Sequence, residues 1–199
     1  QFFGRCPECG SWNSLVEQSQ PANDGRRRRR PPDADRPPTP KRSTAMASLE
    51  DQPIRRLPTG SGEFDRVLGG GLVPGSLVLV GGDPGIGKST LLLQSASTMA
   101  AQTSVLYVSA EESAQQVKLR WQRLAGGPSD LQLLAETDLE LVLEELEALR
   151  PDVAIIDSIQ ALHDANLPSA PGSVGQVREC AAALQRLAKR QTTALLLVG

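Results

Sequence analysis

No stretch of the chain approaches the ~18–20 uncharged apolar residues that span a bilayer, so a transmembrane helix is not expected. A signal peptide is not expected either, because Gln1-Phe2-Phe3-Gly4-Arg5 has no basic region followed by a long apolar stretch. Three cysteines, two of them three positions apart, are too few for a disulfide framework and suit a metal or thiol site in a reducing compartment. There is one histidine, and no internal repeat is evident. What remains, 199 residues at 39% hydrophobic, 22% charged and a net charge of −2, describes one ordinary domain with additional chain, expected in the cytoplasm and away from membranes. Opening on Gln1 and closing on the apolar run Ala194–Gly199, the chain reads as cut at both ends. Were Gly199 a true terminus, a sheet edge that further strands would cover would be left bare, and the chain alone would be poorly soluble.

Charge is unevenly placed. Residues 1–50 hold nine Lys/Arg against six Asp/Glu, a balance of +3, which leaves −5 for residues 51–199. Between Gln20 and Thr44 the only apolar residues are Ala22 and Ala34, among six prolines and the run Arg26–Arg30. Such a segment cannot bury enough surface to offset its ordering entropy, so residues 18–50 read as a disordered Pro/Arg-rich linker. The arginine run suits either contact with nucleic acid phosphates or, as composition favours, a solvated self-repelling linker.

From Pro53 onward short apolar runs alternate with helical periods. Ser76–Val80, Val105–Val108, Leu131–Leu134, Val153–Ile156 and Ala194–Val198 read as strands. Ala114, Val117, Trp121 and Leu124 mark one helix face, and Leu139, Val142, Leu143, Leu146 and Leu149 another. Ser109 with Glu112, and Thr137 with Glu140, have capping-box spacing. This alternation predicts an α/β domain with a mostly parallel sheet and helices on both faces.

The strongest chemical signal is Gly82-Asp83-Pro84-Gly85-Ile86-Gly87-Lys88-Ser89-Thr90, which satisfies G-x-x-x-x-G-K-[ST] between a predicted strand and a predicted helix. Glycines let successive N–H groups turn inward on a phosphate, and the helix N-terminus adds partial positive charge. Lys88 would set a point charge at the β/γ-phosphates of ATP, Ser89 a hydroxyl on Mg²⁺, and Thr90 would lie toward the α-phosphate. Asp157, closing the apolar strand Val153–Ile156, has the Walker B pattern and could accept from a Mg²⁺-bound water. Of the two acids after Val105–Val108, Glu112 has a capping reason to exist. Glu111 has none, and is the candidate to orient the attacking water.

Cys6 and Cys9 have the C-x-x-C spacing of a zinc half-site, whereas Cys180 falls on a periodic helix, Val174 to Ala188, as a small apolar residue. His163 reads as a loop polar group, and Arg178 as either a phosphate contact or a solvated side chain.

These motifs in this order resemble the RecA-type ATPase core. With Leu57-Pro-Thr-Gly60, the stretch Glu63–Ser76, Tyr107–Ser113, Ser169–Glu179 and Gly4–Leu15, they resemble more narrowly the bacterial RadA (Sms) family. The resemblance implies a P-loop ATPase core over 51–199 and a partial four-cysteine zinc finger over 1–17, whose first cysteine pair lies upstream of Gln1. Lys88 and Ser89 would be its Walker A residues, Asp157 its Walker B acid and Glu111 its catalytic glutamate. It further implies a DNA-dependent ATPase of recombinational repair that acts on single-stranded or branched DNA by branch migration. The implied assembly is a hexameric ring working beside a recombinase, and the loop His163–Gly172 would lie where RecA-like proteins contact DNA. Family features past Gly199, a Lys-Asn-Arg-Phe-Gly motif and a Lon-protease-like domain, are not in this chain. Walker motifs alone would equally suit a KaiC-like signalling ATPase or phosphotransferase, and the cysteine pair with Arg26–Arg30 a nucleic-acid adaptor.

Overall fold

A computed structural model describes residues 43–50, 53, 55–124 and 130–199. The chain divides into two units, residues 1–50 and 51–199. Of the first, the described stretch holds a single 3-10 turn, Met46–Ser48, with no buried residue and with the Ser48 hydroxyl donating to the Ala45 carbonyl at 2.8 Å. The rest of the expected linker, and Cys6 and Cys9, lie outside the described residues.

The second unit runs α1 (Gly62–Val67), β1 (Leu77–Val80), α2 (Lys88–Met99), β2 (Val105–Ser109), α3 (Ala114–Leu124), β3 (Gln132–Ala135), α4 (Leu139–Leu149), β4 (Val153–Asp157), a 3-10 turn (Ile159–Ala161), α5 (Val174–Gln191) and β5 (Ala194–Val198). The strands form one sheet in the order β1-β5-β4-β2-β3, every pair parallel. Each predicted strand is present, shifted by at most a residue or two.

The pleat sorts the core into two layers. Leu106, Val108, Ala154, Ile156, Leu195 and Leu197 face Val142 and Leu146 of α4 and Cys180 and Leu184 of α5. The intervening residues Val105, Tyr107, Val153, Ile155 and Leu196 face Leu92, Leu93 and Ala96 of α2 and Val117 of α3. With both faces covered, β2, β4 and β5 are buried at every position, which is why they read as unbroken apolar runs. The outer strands β1 and β3 are only partly covered. Cys180 lies at zero exposure in this core, and burial pushes its thiol above the ordinary range.

The helix starts differ from the sequence reading at two points. α3 begins at Ala114, so the reciprocal cap is Ser113 with Gln116: the Gln116 carboxamide oxygen accepts from the Ser113 N–H at 2.9 Å, and the Ser113 hydroxyl from the Gln116 N–H at 3.4 Å. Ser109 closes a turn ahead of the helix, its hydroxyl accepting from the Glu112 N–H at 3.3 Å, one half of the expected pair, and donating to the Glu112 carbonyl at 2.8 Å. α4 is capped by Asp138, whose carboxylate accepts from the Glu140 N–H at 2.8 Å, not by Thr137, which sits one residue too early.

α1 carries no periodic signal and was not expected. It is held from outside, because the Asp65 carboxylate accepts from both the Thr59 N–H and the Thr59 hydroxyl at 2.8 Å. Beneath it Leu57 and Leu72 exchange two backbone hydrogen bonds at 2.8 Å, and Gly71, at φ +120°, brings its Cα so close that a Cβ would stand 2.5 Å from the Leu57 carbonyl oxygen. Gly71→Ala is therefore expected to cost about 2 kcal/mol or more, read as a lower urea midpoint at unchanged slope. An unmoved midpoint would contradict this account of the turn.

Candidate functional site

Because all five strands are parallel, their C-terminal ends share one edge of the sheet, the edge where open α/β sheets bind ligands. The segment 82–87 leaves β1 there and runs into α2 through Gly85 at φ +80° and Gly87 at φ +98°, left-handed conformations that a side chain resists. A Cβ at either glycine would meet nothing within 4 Å, so the turn is open on its outer side. The N–H groups of Gly85 and Gly87 find no acceptor among the described residues. Lys88 arches back over the loop, its ammonium donating to the carbonyls of Gly82 at 2.7 Å and Asp83 at 3.0 Å. Asp83, Pro84 and Ile86 complete the exposed loop, while Ser89 and Thr90 occupy the first turn of α2.

Asp157 ends β4 at 8% exposure. The Tyr107 hydroxyl donates to its Oδ2 at 2.5 Å, and its carbonyl accepts from the Ala110 N–H at 2.7 Å. Burial, and then the charge of Asp157, push the Tyr107 phenol far above its ordinary value, so it stays a protonated donor. The next peptide bond, Asp157–Ser158, is cis. The Ser158 hydroxyl donates to the carboxylate of Glu111, which stands two residues past the end of β2. Glu112 points its carboxylate into an ion pair with Arg120 of α3, so it is occupied, though not by the cap expected of it.

Asp157 and Glu111 are thus brought together, through Ser158, while Lys88 and Ser89 lie at the same sheet edge, with β5 between β1 and β4. His163 is used through its backbone: its N–H donates to the Thr137 carbonyl at 3.0 Å and its carbonyl accepts from the Leu139 N–H at 2.9 Å. Arg178 is exposed on α5. Three polar residues escaped the sequence reading: Tyr107, Ser158 and Gln176. Gln176, 1% exposed, clamps the loop after β4 by accepting from the Asp164 N–H at 2.8 Å and donating to the carbonyls of Asp164 at 3.1 Å and Ser169 at 2.9 Å.

A profile of the AAA domain matches residues 43–199, spanning the sheet, the glycine loop and both acids. The chain belongs to the AAA domain family. Residues 1–17 of this family member match the rubredoxin metal binding domain. The chain is 46% identical over 200 residues to the DNA repair protein RadA of Listeria monocytogenes and 49% identical over 224 residues to that of Synechocystis, in each case over all of its own length. It spans 43% and 44% of those two relatives. Their resemblance to this AAA domain chain therefore runs from end to end, whereas the motifs covered residues 51–199 and 4–15 and not the linker between them. A solved DnaB-like replicative helicase, studied with its primase, shares the fold at a TM-score of 0.61 and 16% identity, over 73% of this chain and 43% of its own.

ATP with Mg²⁺ is the cofactor pair of this P-loop fold, and the residues fit it. Two unpaired loop amides, an ammonium resting only on loop carbonyls and a carboxylate with one oxygen unclaimed match the demands of phosphate and metal. Zinc is the metal of the N-terminal cysteine segment, to which Cys6 and Cys9 would supply two thiolates of the four that zinc requires. Cys180, sealed in the core, is unavailable to it. Among the described residues no helix is long and apolar enough to cross a membrane.

Proposed function

We propose that residues 51–199 form the ATP-binding and ATP-hydrolysing core of a DNA-dependent DNA repair ATPase. The observation that carries this reading is the meeting of Glu111, Ser158 and Asp157 at the sheet edge that also holds the glycine loop. In it, loop residues 82–87 and Lys88 bind the phosphates, Thr90 lies toward the α-phosphate, and Ser89 and Asp157 hold Mg²⁺. Bound Mg²⁺ supplies charge neutralisation at the transferred phosphoryl group. Glu111 orients the attacking water, and its hydrogen bond from Ser158 fixes the direction of the carboxylate.

DNA as the activating partner is supported by the names of the relatives, DNA repair proteins, and by the helicase that shares the fold. Within that reading the full protein forms a hexameric ring, drives branch migration on single-stranded or branched DNA beside a recombinase, and works in the cytoplasm. Residues 1–17 are its partial zinc finger and residues 18–50 its linker. The loop 163–172 has no Lys or Arg, so Arg178 is the nearest cation along the chain to meet a phosphate. The decisive measurement is ATP turnover with and without single-stranded DNA, on a chain carrying the flanking segments of its relatives. Turnover should rise several-fold with DNA; a rate indifferent to DNA would favour a signalling ATPase or phosphotransferase.

A further inference from the structure

On the α2 and α3 face of the sheet, Tyr107 lies 1% exposed among the apolar side chains of Leu93, Val105, Val117, Val153 and Ile155. A phenylalanine would fill that volume equally well and would spare the cost of burying a hydroxyl. Its hydroxyl has one partner among the described residues, Asp157 Oδ2. The register explains how they meet: Tyr107 pairs with Ile155 and Ser109 with Asp157, so Tyr107 and Asp157 occupy the same face, diagonally placed two residues apart along neighbouring strands. Oδ2 is thereby taken, and Oδ1 accepts no hydrogen bond from any described residue.

We propose that Tyr107 is a positioning residue for magnesium: by holding Oδ2 it fixes the Asp157 carboxylate in the one orientation that presents Oδ1 to the metal's hydration shell. The proposal rests on Asp157 acting as the magnesium acid, and it adds a residue that the phosphate motifs do not include. Partners behind a metal-site carboxylate commonly set metal affinity without touching the metal.

The test titrates Mg²⁺ against a fluorescent ATP analogue, without turnover. Tyr107→Phe should raise the Mg²⁺ concentration at half-saturation about tenfold or more, with Mg²⁺-free analogue binding held and a cooperative thermal melt retained. An unchanged Mg²⁺ midpoint overturns the proposal, as does equal weakening with and without Mg²⁺, which marks a purely structural role. Asp157→Asn in parallel separates the claims. If it moves the midpoint and Tyr107→Phe does not, only the role of Tyr107 falls; if Asp157→Asn does not move it, the magnesium reading falls and takes this one with it. Should Tyr107→Phe not fold, the unsubstituted chain still answers, because Tyr107 is its only tyrosine. Grown with 3-fluorotyrosine, its single fluorine resonance should move when Mg²⁺ joins the bound analogue, and should stay still in Asp157→Asn. A resonance indifferent to Mg²⁺ in the unsubstituted chain overturns the proposal.

Discussion

Lys88→Ala should abolish tight nucleotide binding, lowering ATP affinity about 100-fold, or ~3 kcal/mol, as expected when a charged hydrogen-bonding partner of a phosphate is removed. Stability should hardly change. The ammonium touches only the carbonyls of Gly82 and Asp83, on a loop exposed to water that can replace it, so the melting point should reflect ~0.5 kcal/mol or less. Calorimetric titration with ATP and Mg²⁺, paired with a thermal melt, reads both quantities. Unaltered affinity would mean that the glycine loop is no longer a working phosphate site, and would revive a nucleic-acid adaptor carried by the cysteine segment and Arg26–Arg30.

Glu111→Gln should do the reverse, leaving affinity within a few-fold while hydrolysis falls by about 10²–10⁴, the range for losing a residue that takes or orients a proton. The amide keeps an oxygen for the Ser158 hydroxyl, so the side chain should hold its place and the loss should be chemical. Single-turnover hydrolysis with pre-bound ATP separates this from slower binding. Hydrolysis within tenfold of the parent would remove Glu111 from the mechanism and move the reading toward a phosphotransferase or signalling ATPase. Glu112→Gln is the contrasting change: its carboxylate is engaged with Arg120, so its loss acts on the anchoring of α3.

The buried strands were legible because β2, β4 and β5 are covered on both faces, and only apolar residues tolerate that; Val153–Ile156 could hardly be anything else. The glycine loop was equally plain, since its spacing answers a backbone requirement local to nine residues. Where two local solutions competed, the sequence could not choose. Ser109 with Glu112 and Ser113 with Gln116 both fit a capping box, and only the true start of α3 at Ala114 decides between them. α1 escaped because its order comes from Thr59 holding Asp65, not from a repeating apolar face. The contacts of Tyr107 and Ser158 were out of reach for a different reason. They depend on β2 lying beside β4, and chain order does not reveal that β5 would settle between β4 and β1. Gln176 looked like one more polar helix residue until the loop from Asp164 to Ser169 folded back onto it.

Tyr107, Glu111, Asp157 and Ser158 all belong to one pair of neighbouring strands or to the residues just beyond them, laced together from Val105–Val153 to Ser109–Asp157. No hinge separates them. Shear between β2 and β4 would break that ladder, so these four groups should travel as a single rigid body throughout a turnover cycle. Any motion that times the reaction is then expected in segments outside the ladders that join β1, β5, β4 and β2, the glycine loop 82–87 first among them.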